Sequence, residues 1–330
     1  MATVGETYLT LKDKFSQMED GKITNTVIDL LSMSTPLIED AVVVECNNGA
    51  NHKTTVRNGL PEVEFREFYG GVPCSKGSYT QISDATGMLE VYSEVDKKLA
   101  DLNADKEQFR LNESQGFLEA MTQRVEREIF YGNKKTNPAG FDGLANRYNK
   151  ISSDDKSIGS RVIDAGGTGN NLTSIWFVTW GNLHTHLIYP KGSVGGFQHE
   201  DKGQQTKQLP DGTLYEVYRA HDSWDVGLSV RDFRSTCRIA NIALNNLANI
   251  DLVDLLDEAL GTIEEYNKTG KTIIYCNSKV RTALRKQARK QKNVNLTIDN
   301  YDGKKIVSFL DCPIKVCSSI LSTEDQVTAA

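Results

Sequence analysis

Residues 52–95 constrain the fold of this chain more than any other stretch, because they predict a long two-stranded β excursion. Apolar and charged residues alternate in PEVEFREF, which puts Val63 and Phe65 on one face, and they alternate again in LEVYSEV. A turn rich in Gly and Pro at residues 70–77 separates the two halves. Since a lone hairpin is marginally stable in water, this one is expected to lie on the body of its own chain or on a neighbouring subunit.

Residues 103–131 predict a long helix that ends at Gly132. Its apolar residues form one narrow stripe, and its other faces are charged. Such a helix is expected to lie across a surface and not at the centre of a core. The stripe consists of Leu118, Met121, Val125 and Ile129.

The rest of the chain predicts a mixture of loops, strands and helices, so the predicted class is α+β. Residues 132–148 predict a loop, and residues 160–245 predict strands and turns that include SIWFVTW, which is apolar enough to be buried on both faces. Residues 251–291 predict two helices around the strand KTIIYC, with Asp251 as the first N-cap. The chain then predicts an acidic turn at 299–303 and two closing strands, KKIVSFL and PIKVCSSI.

Length and composition exclude several classes of protein. The 330 residues allow two lobes or one large domain with extensions, and 38% hydrophobic with 25% charged residues are typical of a globular chain. A net charge of −6 argues against a dedicated nucleic-acid binder. Six cysteines without a CxxC pair, and an N-terminus without signal-peptide features, predict reduced thiols in a cytoplasm. Apolar runs of at most about four residues predict no membrane span.

Three short motifs resemble chemical sites but are better explained as structure. The stretch 269–272, TGKT, resembles the end of a phosphate-binding loop, but Glu265 stands where the motif needs Gly, and a helix precedes where a strand should. The stretch 164–169 lacks the third glycine of a dinucleotide fingerprint, so it predicts a turn. His184 and His186 share a strand face but are too few to hold a metal. The sequence therefore predicts no catalytic, cofactor-binding or metal-binding residues, and no cofactor.

The charge pattern near the C-terminus is more informative. Residues 251–265 carry six acids and no bases, and residues 279–292 carry seven bases and no acids. This pattern fits two solvated helix faces, or complementary docking within a chain or between copies. A nucleic-acid contact is a third explanation, although no aromatic residues interleave with the bases. Exposed ion pairs contribute only about 0–1 kcal/mol each, so docking of this kind would set register more than strength.

A series of ordered motifs carries a family resemblance along nearly the whole chain after residue 20. The motifs include MLEVYSEVDKKLADLN, NPAGFDGLANRYN, IDAGGTGNNLTSIWFVTWG, IYPKGS, QHEDKG and HDSWDVGLSVRDFRSTCRIANI. They resemble the major capsid proteins of short-tailed (podovirus-type) double-stranded DNA bacteriophages with the Hong Kong 97-type fold.

That resemblance implies a division of the chain and a set of inter-subunit contacts. The implied segments are an N-arm at 1–50, an E-loop β-hairpin at 51–100, a peripheral domain with a long spine helix at 101–160, a β-rich peripheral and axial segment at 161–250, an axial domain at 251–310, and a return strand with the C-terminus at 311–330. Candidate contacts are Gly70, Gly71 and Pro73 in the E-loop, Phe141, Asp142, Gly143 and Arg147 near three-fold contacts, and Asp257, Glu258, Arg281, Arg285 and Arg289 on the axial helices.

The resemblance also implies a function in assembly and not in catalysis. The chain is expected to form hexamers and pentamers of an icosahedral capsid that encloses packaged DNA, with no membrane involved. Implied partners are a portal protein, a cement or decoration protein, and a separate scaffolding protein, because the chain has no long N-terminal scaffolding segment. The alternatives are an encapsulin-like nanocompartment shell, a nucleic-acid-binding protein that uses the basic helix 279–292, and an enzyme whose site leaves no sequence signal.

Overall fold

The computed structural model describes residues 18–19, 22–23, 35–102, 106–264, 269–291, 296–301 and 304–329. They fall into two units. The small unit contains the described residues of Met1–Met33, Met88–Val125 and Gly196–Asp225, and the large unit contains those of Ser34–Gly87, Glu126–Gly195 and Val226–Ala330. Most of the predicted N-arm and the first three residues of the predicted long helix lie outside the described residues.

The helices follow the predicted pattern closely. They are α1 (Leu37–Asp40), α2 (Lys97–Asp101), α3 (Lys106–Tyr131), α4 (Leu144–Arg147), α5 (Leu252–Glu264) and α6 (Ser278–Gln291). The predicted long helix is α3, and the two helices predicted around one strand are α5 and α6. Asp251 caps α5 as predicted, because its Oδ1 accepts the N–H groups of Val253 at 3.2 Å and Asp254 at 3.3 Å. Asn277 caps α6 by accepting the Lys279 N–H at 3.1 Å.

The strands account for most of the remaining regular structure. They are β1 (Met18–Glu19), β2 (Lys22–Ile23), β3 (Val43–Glu45), β4 (Asn51–Gly59), β5 (Ser78–Asp96), β6 (Val162–Asp164), β7 (Leu172–Trp180), β8 (Thr185–Tyr189), β9 (Gly196–Gln208), β10 (Leu214–Val230), β11 (Thr236–Ala243), β12 (Lys271–Cys276), β13 (Leu296–Tyr301), β14 (Lys304–Phe309) and β15 (Cys312–Val316). The predicted strand KTIIYC is β12, and the two predicted closing strands are β14 and β15.

The sheet of the large unit is built around β7. This strand is buried along its whole length, as SIWFVTW predicts, and it pairs antiparallel with both β11 and β12. The strand order runs β13, β14, β15, β12, β7, β8 and the end of β10, while β3 adds to β8 in parallel. The apolar faces of α5 and α6 cover this sheet, with Leu256, Ile263 and Leu284 in one buried cluster with Phe177 and Ile274. Their amphipathic sequences therefore determine the core.

The small unit is a polar antiparallel ribbon with a modest core. Strand β9 pairs with β10 from Gln208↔Leu214 to Gly196↔Asp225, and β5 lies beside β10. One cluster of its buried apolar residues contains Val95, Ala100 and Phe109. Charged side chains also stabilise the ribbon. The ion pairs are Glu94 with Arg219 at 2.6 Å, Glu94 with Lys207, and Asp201 with Arg110 at 2.6 Å.

Two predictions about strands are wrong. PEVEFREF does not form a strand, because β4 ends at Gly59 and residues 60–77 have no regular structure. Alternation alone does not make a strand when no neighbouring strand or core face is present to pair with it. The acidic turn predicted at 299–303 does not begin at Asp299, because β13 continues through Tyr301 and Asp299 pairs with Ile306. Residues 302–303 lie outside the described residues. Strand pairing with β14 overrides the turn preference of Asp and Asn.

Two predictions about helices also need correction. The last two turns of α3 do not lie on a surface, because Glu126, Ile129 and Phe130 are fully buried. The stripe is incomplete at its other end, where Leu118 is 40% exposed. A single hydrophobic stripe does not show that the final turns are covered on several sides by β-strands distant in sequence. The loop predicted at 132–148 also contains the short helix α4.

Candidate functional site

Among the described residues, the most exposed apolar side chains lie in residues 60–77, which we call the tip loop. Val63 is 88% exposed, Phe65 108%, Phe68 95% and Tyr69 107%. Burying one such side chain contributes about 1.5–3 kcal/mol, and here that free energy is not gained within the subunit. A cluster of large apolar side chains in solvent marks an interaction surface.

The shape of the tip loop comes from local turns. The Gly70 N–H donates to the Glu67 carbonyl at 3.1 Å, and Tyr69 before it has a φ of +67°. The Ser75 hydroxyl donates to the Glu62 carbonyl at 2.8 Å across the loop. The predicted contact residues of this loop, Gly70, Gly71 and Pro73, are all exposed. They belong to the same loop as the exposed apolar residues.

The hairpin that carries the tip loop rests on the large unit at its base. Strands β4 and β5 pair in a register that sets His52 opposite Asp84, and both side chains are buried. Gly227 of β10 permits the close approach, because a Cβ there would lie 2.6 Å from the Ala85 carbonyl oxygen. The base is therefore held against the sheet while the tip is free of it.

The loop at 132–148 is folded tightly onto the end of α3. The Gly143 N–H donates to the Gly132 carbonyl at 2.9 Å. A Cβ on Gly132 would lie 2.4 Å from the Phe141 carbonyl oxygen, and one on Gly143 would lie 2.6 Å from the Glu128 carbonyl oxygen. Both positions therefore require glycine. Phe141 is buried, so its side chain acts inside the subunit.

Asp142 and Arg147, the other predicted contacts of this loop, both make bonds within the subunit. Asp142 accepts the Lys134 N–H at 3.0 Å and the Asn146 amide at 2.8 Å. Arg147 donates to the Asp84 carboxylate at 2.7 Å, which ties the loop to the hairpin base. Asp142 is half-buried and remains partly available to another molecule.

The described charged side chains of α5 and α6 form no ion pairs with each other within one chain. Asp257 and Glu258 on α5 are exposed, as is Arg285 on α6, whereas Arg281 is half-buried. Among the described residues, no ion pair joins α5 to α6. The side chain of Arg289 lies outside the described part of the structure. Docking within one chain is therefore not how the described charges are used.

A buried ionic cluster in the large unit was not predicted. Arg238 donates to the Glu324 carboxylate at 2.9 Å, to the Ser174 hydroxyl at 3.0 Å and to the Tyr148 carbonyl at 2.8 Å. The hydroxyl of Tyr131 donates to the other carboxylate oxygen of Glu324. We call these residues the C-terminal cluster, because they hold the C-terminal segment on β7 and β11. One Arg and one Glu far apart in sequence form no pattern that could have revealed them.

A second buried carboxylate holds the segment before β3. Glu126 accepts the Leu37 N–H at 3.0 Å, the Ser319 hydroxyl at 2.8 Å and the Cys317 thiol at 3.2 Å. Burial raises the pKa of Glu126, while these three donors act in the opposite direction. Nearby, Asp40 of α1 accepts from Lys315 at 2.6 Å. The first described part of the large unit is thus fixed to its last strand.

The chemical motifs weighed from the sequence take structural positions. Gly166 has a φ of +77° and donates to the Asp164 carboxylate at 2.9 Å, which confirms the predicted turn. Within the described residues, no group of three or more His, Cys, Asp or Glu side chains is arranged to hold a metal ion. The described helices include none long and apolar enough to cross a membrane.

Comparison with known proteins identifies the family of this chain and a similar solved structure. The family model of the major capsid protein GP7 matches residues 18–328. The chain belongs to this family. A chain in the structure of bacteriophage epsilon15 is 32% identical, with 100% of both chains covered and a TM-score of 0.78. The search of the curated proteins found no match.

More distant capsid and encapsulin structures are also similar to parts of the chain. The bacteriophage JBD30 capsid is 10% identical over 88% of this chain and 93% of that one, with a TM-score of 0.48. The SrpI encapsulin complex of Synechococcus elongatus PCC 7942 is 12% identical over 71% and 97%, with a TM-score of 0.44. Neither value is high enough to carry an argument.

Family membership and the similarity to the epsilon15 chain establish the fold, the function and the location of the protein. The fold is the α+β capsid fold of the Hong Kong 97 type, and the protein is a structural shell protein of a podovirus-type bacteriophage. Its place is the virion capsid, where copies assemble into a multimeric shell. The expected function, recognised from motifs alone, is therefore confirmed over the alternatives of an encapsulin-like shell and a nucleic-acid binder.

Proposed function

We propose that this shell protein forms the hexamers and pentamers of an icosahedral capsid around packaged double-stranded DNA, with its tip loop laid across a neighbouring subunit. The observation that carries the proposal is the tip loop itself, whose Val63, Phe65, Phe68 and Tyr69 are almost fully exposed in the described structure. A monomer gains nothing from such a surface, whereas a neighbouring copy would bury it.

The proposed assembly uses several separate contacts that are weak alone. The tip loop, the loop around Asp142 and the charged axial helices each present a small surface. Joined in one rigid subunit, such contacts act at high effective concentration and become strong together. Weak single contacts also let misplaced subunits leave during growth. The segments assigned from family resemblance, from the N-arm at 1–50 to the C-terminus at 311–330, are part of this proposal.

The charged helices are proposed to face each other between copies within a capsomer. Asp257 and Glu258 of one subunit would meet Arg281, Arg285 and Arg289 of the next. The support is that the described acids and bases of these helices have opposite sign but form no ion pair within the chain. Complementary charge of this kind sets orientation and excludes wrong partners.

The partners of the shell follow from the same proposal. A portal protein would admit the DNA, a separate scaffolding protein would guide the procapsid, and a cement or decoration protein would bind outside. Since the chain carries a net charge of −6, attraction to the packaged DNA would be limited to local basic patches. The proposal gives the chain no catalytic activity, cofactor or membrane contact.

The decisive experiment removes the apolar surface of the tip loop. The double variant Phe65→Ser/Phe68→Ser is expressed together with the genomic neighbours of the chain, and shells are counted by negative-stain electron microscopy. We expect soluble, folded subunits and no closed shells. Leu183→Ser is the matched control, because Leu183 is also exposed, at 63%, but lies outside the tip loop. Normal shells from the double variant would contradict the proposal.

A charge swap tests the axial helices. Arg285→Glu should impair assembly while the subunit keeps its circular dichroism spectrum and its urea midpoint. Adding Asp257→Arg to the same chain restores opposite charges between copies and should recover part of the shell yield. Lys156→Glu makes the same charge change at another exposed position and should assemble normally. Full assembly by Arg285→Glu alone would rule out this contact.

A further inference from the structure

The base of the β4–β5 hairpin is attached to the large unit through polar side chains. On β4 the fully buried positions are His52 and Thr54, and on β5 the residue opposite His52 is the buried Asp84. An apolar attachment would be expected at such a site, because burying polar groups without partners costs free energy. The base of the hairpin is therefore attached through buried polar side chains, some of whose atoms have no hydrogen-bond partner among the described residues.

Besides its strand partner Asp84, His52 contacts another histidine on the sheet below the hairpin. The rings of His52 and His186 meet edge to face with centroids 5.5 Å apart. His186 lies on β8 and is completely buried, and its partner on β10 is the buried Ser229. We call His52, Asp84, His186 and Ser229 the hinge cluster.

Several hydrogen-bonding atoms of the hinge cluster find no partner. Among the described residues, both ring nitrogens of His52 and of His186 lack a hydrogen bond of good geometry, as do Asp84 Oδ2 and Ser229 Oγ. Buried polar groups are normally paired, and departures from that rule point to a functional reason. Here the unpaired atoms lie on both sides of one seam, between the hairpin and the sheet.

Charged and titratable groups face this seam from each element around it. They are Asp84 on β5, Glu45 and Cys46 at β3, His184 just before β8, Arg147 on α4 and Arg231 after β10. The Asp84 carboxylate favours a protonated His52, but one of its oxygens is bound by Arg147. Arg231 opposes a positive charge on either ring. The surroundings therefore suit a neutral histidine pair.

We propose that the His52–His186 contact is a proton-sensitive hinge, which holds the β4–β5 hairpin on the sheet while both rings are neutral and releases it when they are protonated. Two imidazolium rings at this distance would repel each other and require water, and lifting the hairpin base supplies both separation and solvent. The tip loop would then swing with the hairpin as one arm.

The direction of the pH effect follows from burial. Burial, then His52 and Arg231, lower the pKa of His186 to about 4, and only the Gly181 backbone and Asp84 act against this. Burial and Arg231 also lower the pKa of His52. A released ring titrates near its ordinary pKa of about 6.5. Release is thus favoured increasingly as the pH falls from about 6.5 towards 4, and at pH 5 His186 alone shifts the ratio of released to attached hairpin roughly 30-fold.

Pulsed EPR distance measurements on unassembled subunits test the hinge directly. One spin label is placed on the hairpin by Thr55→Cys and the other on the large unit by Lys156→Cys, with the exposed native thiol removed by Cys74→Ser. Between pH 7.5 and pH 5.0, we expect a second distance population that rises roughly 30-fold relative to the first. In the same background His186→Leu, which cannot take up a proton, should keep a single population at both values.

Further variants keep the test decisive. If His186→Leu does not fold, His52→Leu removes the other ring and should lower the pH response below that of the parent, leaving the part that comes from His186. His221→Leu, a histidine of the small unit that is not in the hinge cluster, should respond like the parent. One distance population in the parent at pH 5.0, a pH response of the His186 or His52 variant as large as that of the parent, or loss of the whole fold at pH 5.0 would each overturn the hinge. Unassembled subunits are used, so the result does not depend on whether the tip loop covers a neighbour.

Discussion

Two buried polar clusters in the large unit differ in how many of their hydrogen-bonding atoms have partners. In the C-terminal cluster, all three nitrogens of the Arg238 guanidinium and both oxygens of the Glu324 carboxylate have partners. In the hinge cluster, the buried atoms of His52 and His186 have none among the described residues. A fully satisfied network resists movement because each partner left behind would be unpaired. An unsatisfied contact lacks that resistance.

The difference matches what a shell subunit must do. The C-terminal cluster belongs to the frame that holds β7, β11 and the end of the chain together. The hinge cluster belongs to the base of the hairpin whose tip loop we propose lies across a neighbouring subunit. Under that proposal, one subunit combines a fixed part with a part that can be repositioned, and buried polar chemistry separates the two.

The largest expected effect comes from breaking the C-terminal cluster. Glu324→Ala leaves the Arg238 guanidinium buried without a counter-charge, and we expect a loss of about 3–5 kcal/mol in the free energy of unfolding. Urea unfolding followed by tryptophan fluorescence measures it, helped by Trp176, on which Arg238 stacks at 4.9 Å. The control is Arg234→Ala, which breaks an exposed pair with Asp232 worth at most about 1 kcal/mol. Equal losses in the two variants would show that the clusters do not differ as described.

The second effect sharpens the comparison through pH. The pKa of His186 is lower in the fold than in the unfolded chain, so folding stability is present above pH 6.5 and is lost as the pH falls towards 4. Between pH 7.5 and 5.0 the parent should lose about 2 kcal/mol more than His186→Leu, a difference that cancels the titration of other groups. Urea midpoints at both pH values supply the measurement. Parallel losses in the two proteins would place the pH sensitivity elsewhere.

A smaller effect is expected from Asp84→Asn. This change keeps the shape of the side chain but removes the charge that Arg147 binds at 2.7 Å. We expect a loss of about 1–2 kcal/mol, less than for Glu324→Ala, because a single charged hydrogen bond is weakened and the site already contains unpaired atoms. Thermal unfolding of the two variants side by side tests the order. A larger loss for Asp84→Asn would reverse the proposed roles of the clusters.

The smallest effect on stability is expected in the tip loop. Phe65→Ser should change the free energy of unfolding by less than about 0.5 kcal/mol, since the ring is fully exposed in the subunit. The same change is expected to reduce assembly strongly. Calorimetry of subunits and shell counts by electron microscopy separate the two effects. A marked loss of subunit stability would mean that the loop is supported by its own chain.

Local patterns in the sequence predicted most of the helical structure. The alternation of apolar and charged residues in α5 and α6, with Asp251 at the cap, specifies both helices whatever surrounds them. The uniform apolar character of SIWFVTW likewise predicts a central strand, because apolar side chains on both of its faces must be buried. Predictions failed where strand pairing decides the outcome, as in PEVEFREF, which has no pairing strand, and at Asp299, which pairs with Ile306.

By itself the sequence determined the α+β class, the long helix, the two helices of opposite charge and, through its motifs, membership of a capsid family. Only the tertiary structure decided which charges are buried together and which polar groups are left unpaired. The pairing of Arg238 with Glu324, or the meeting of His52 with His186, depends on strands brought side by side across many intervening residues. Local periodicity carries no information about such contacts, because they arise from the register of the whole sheet.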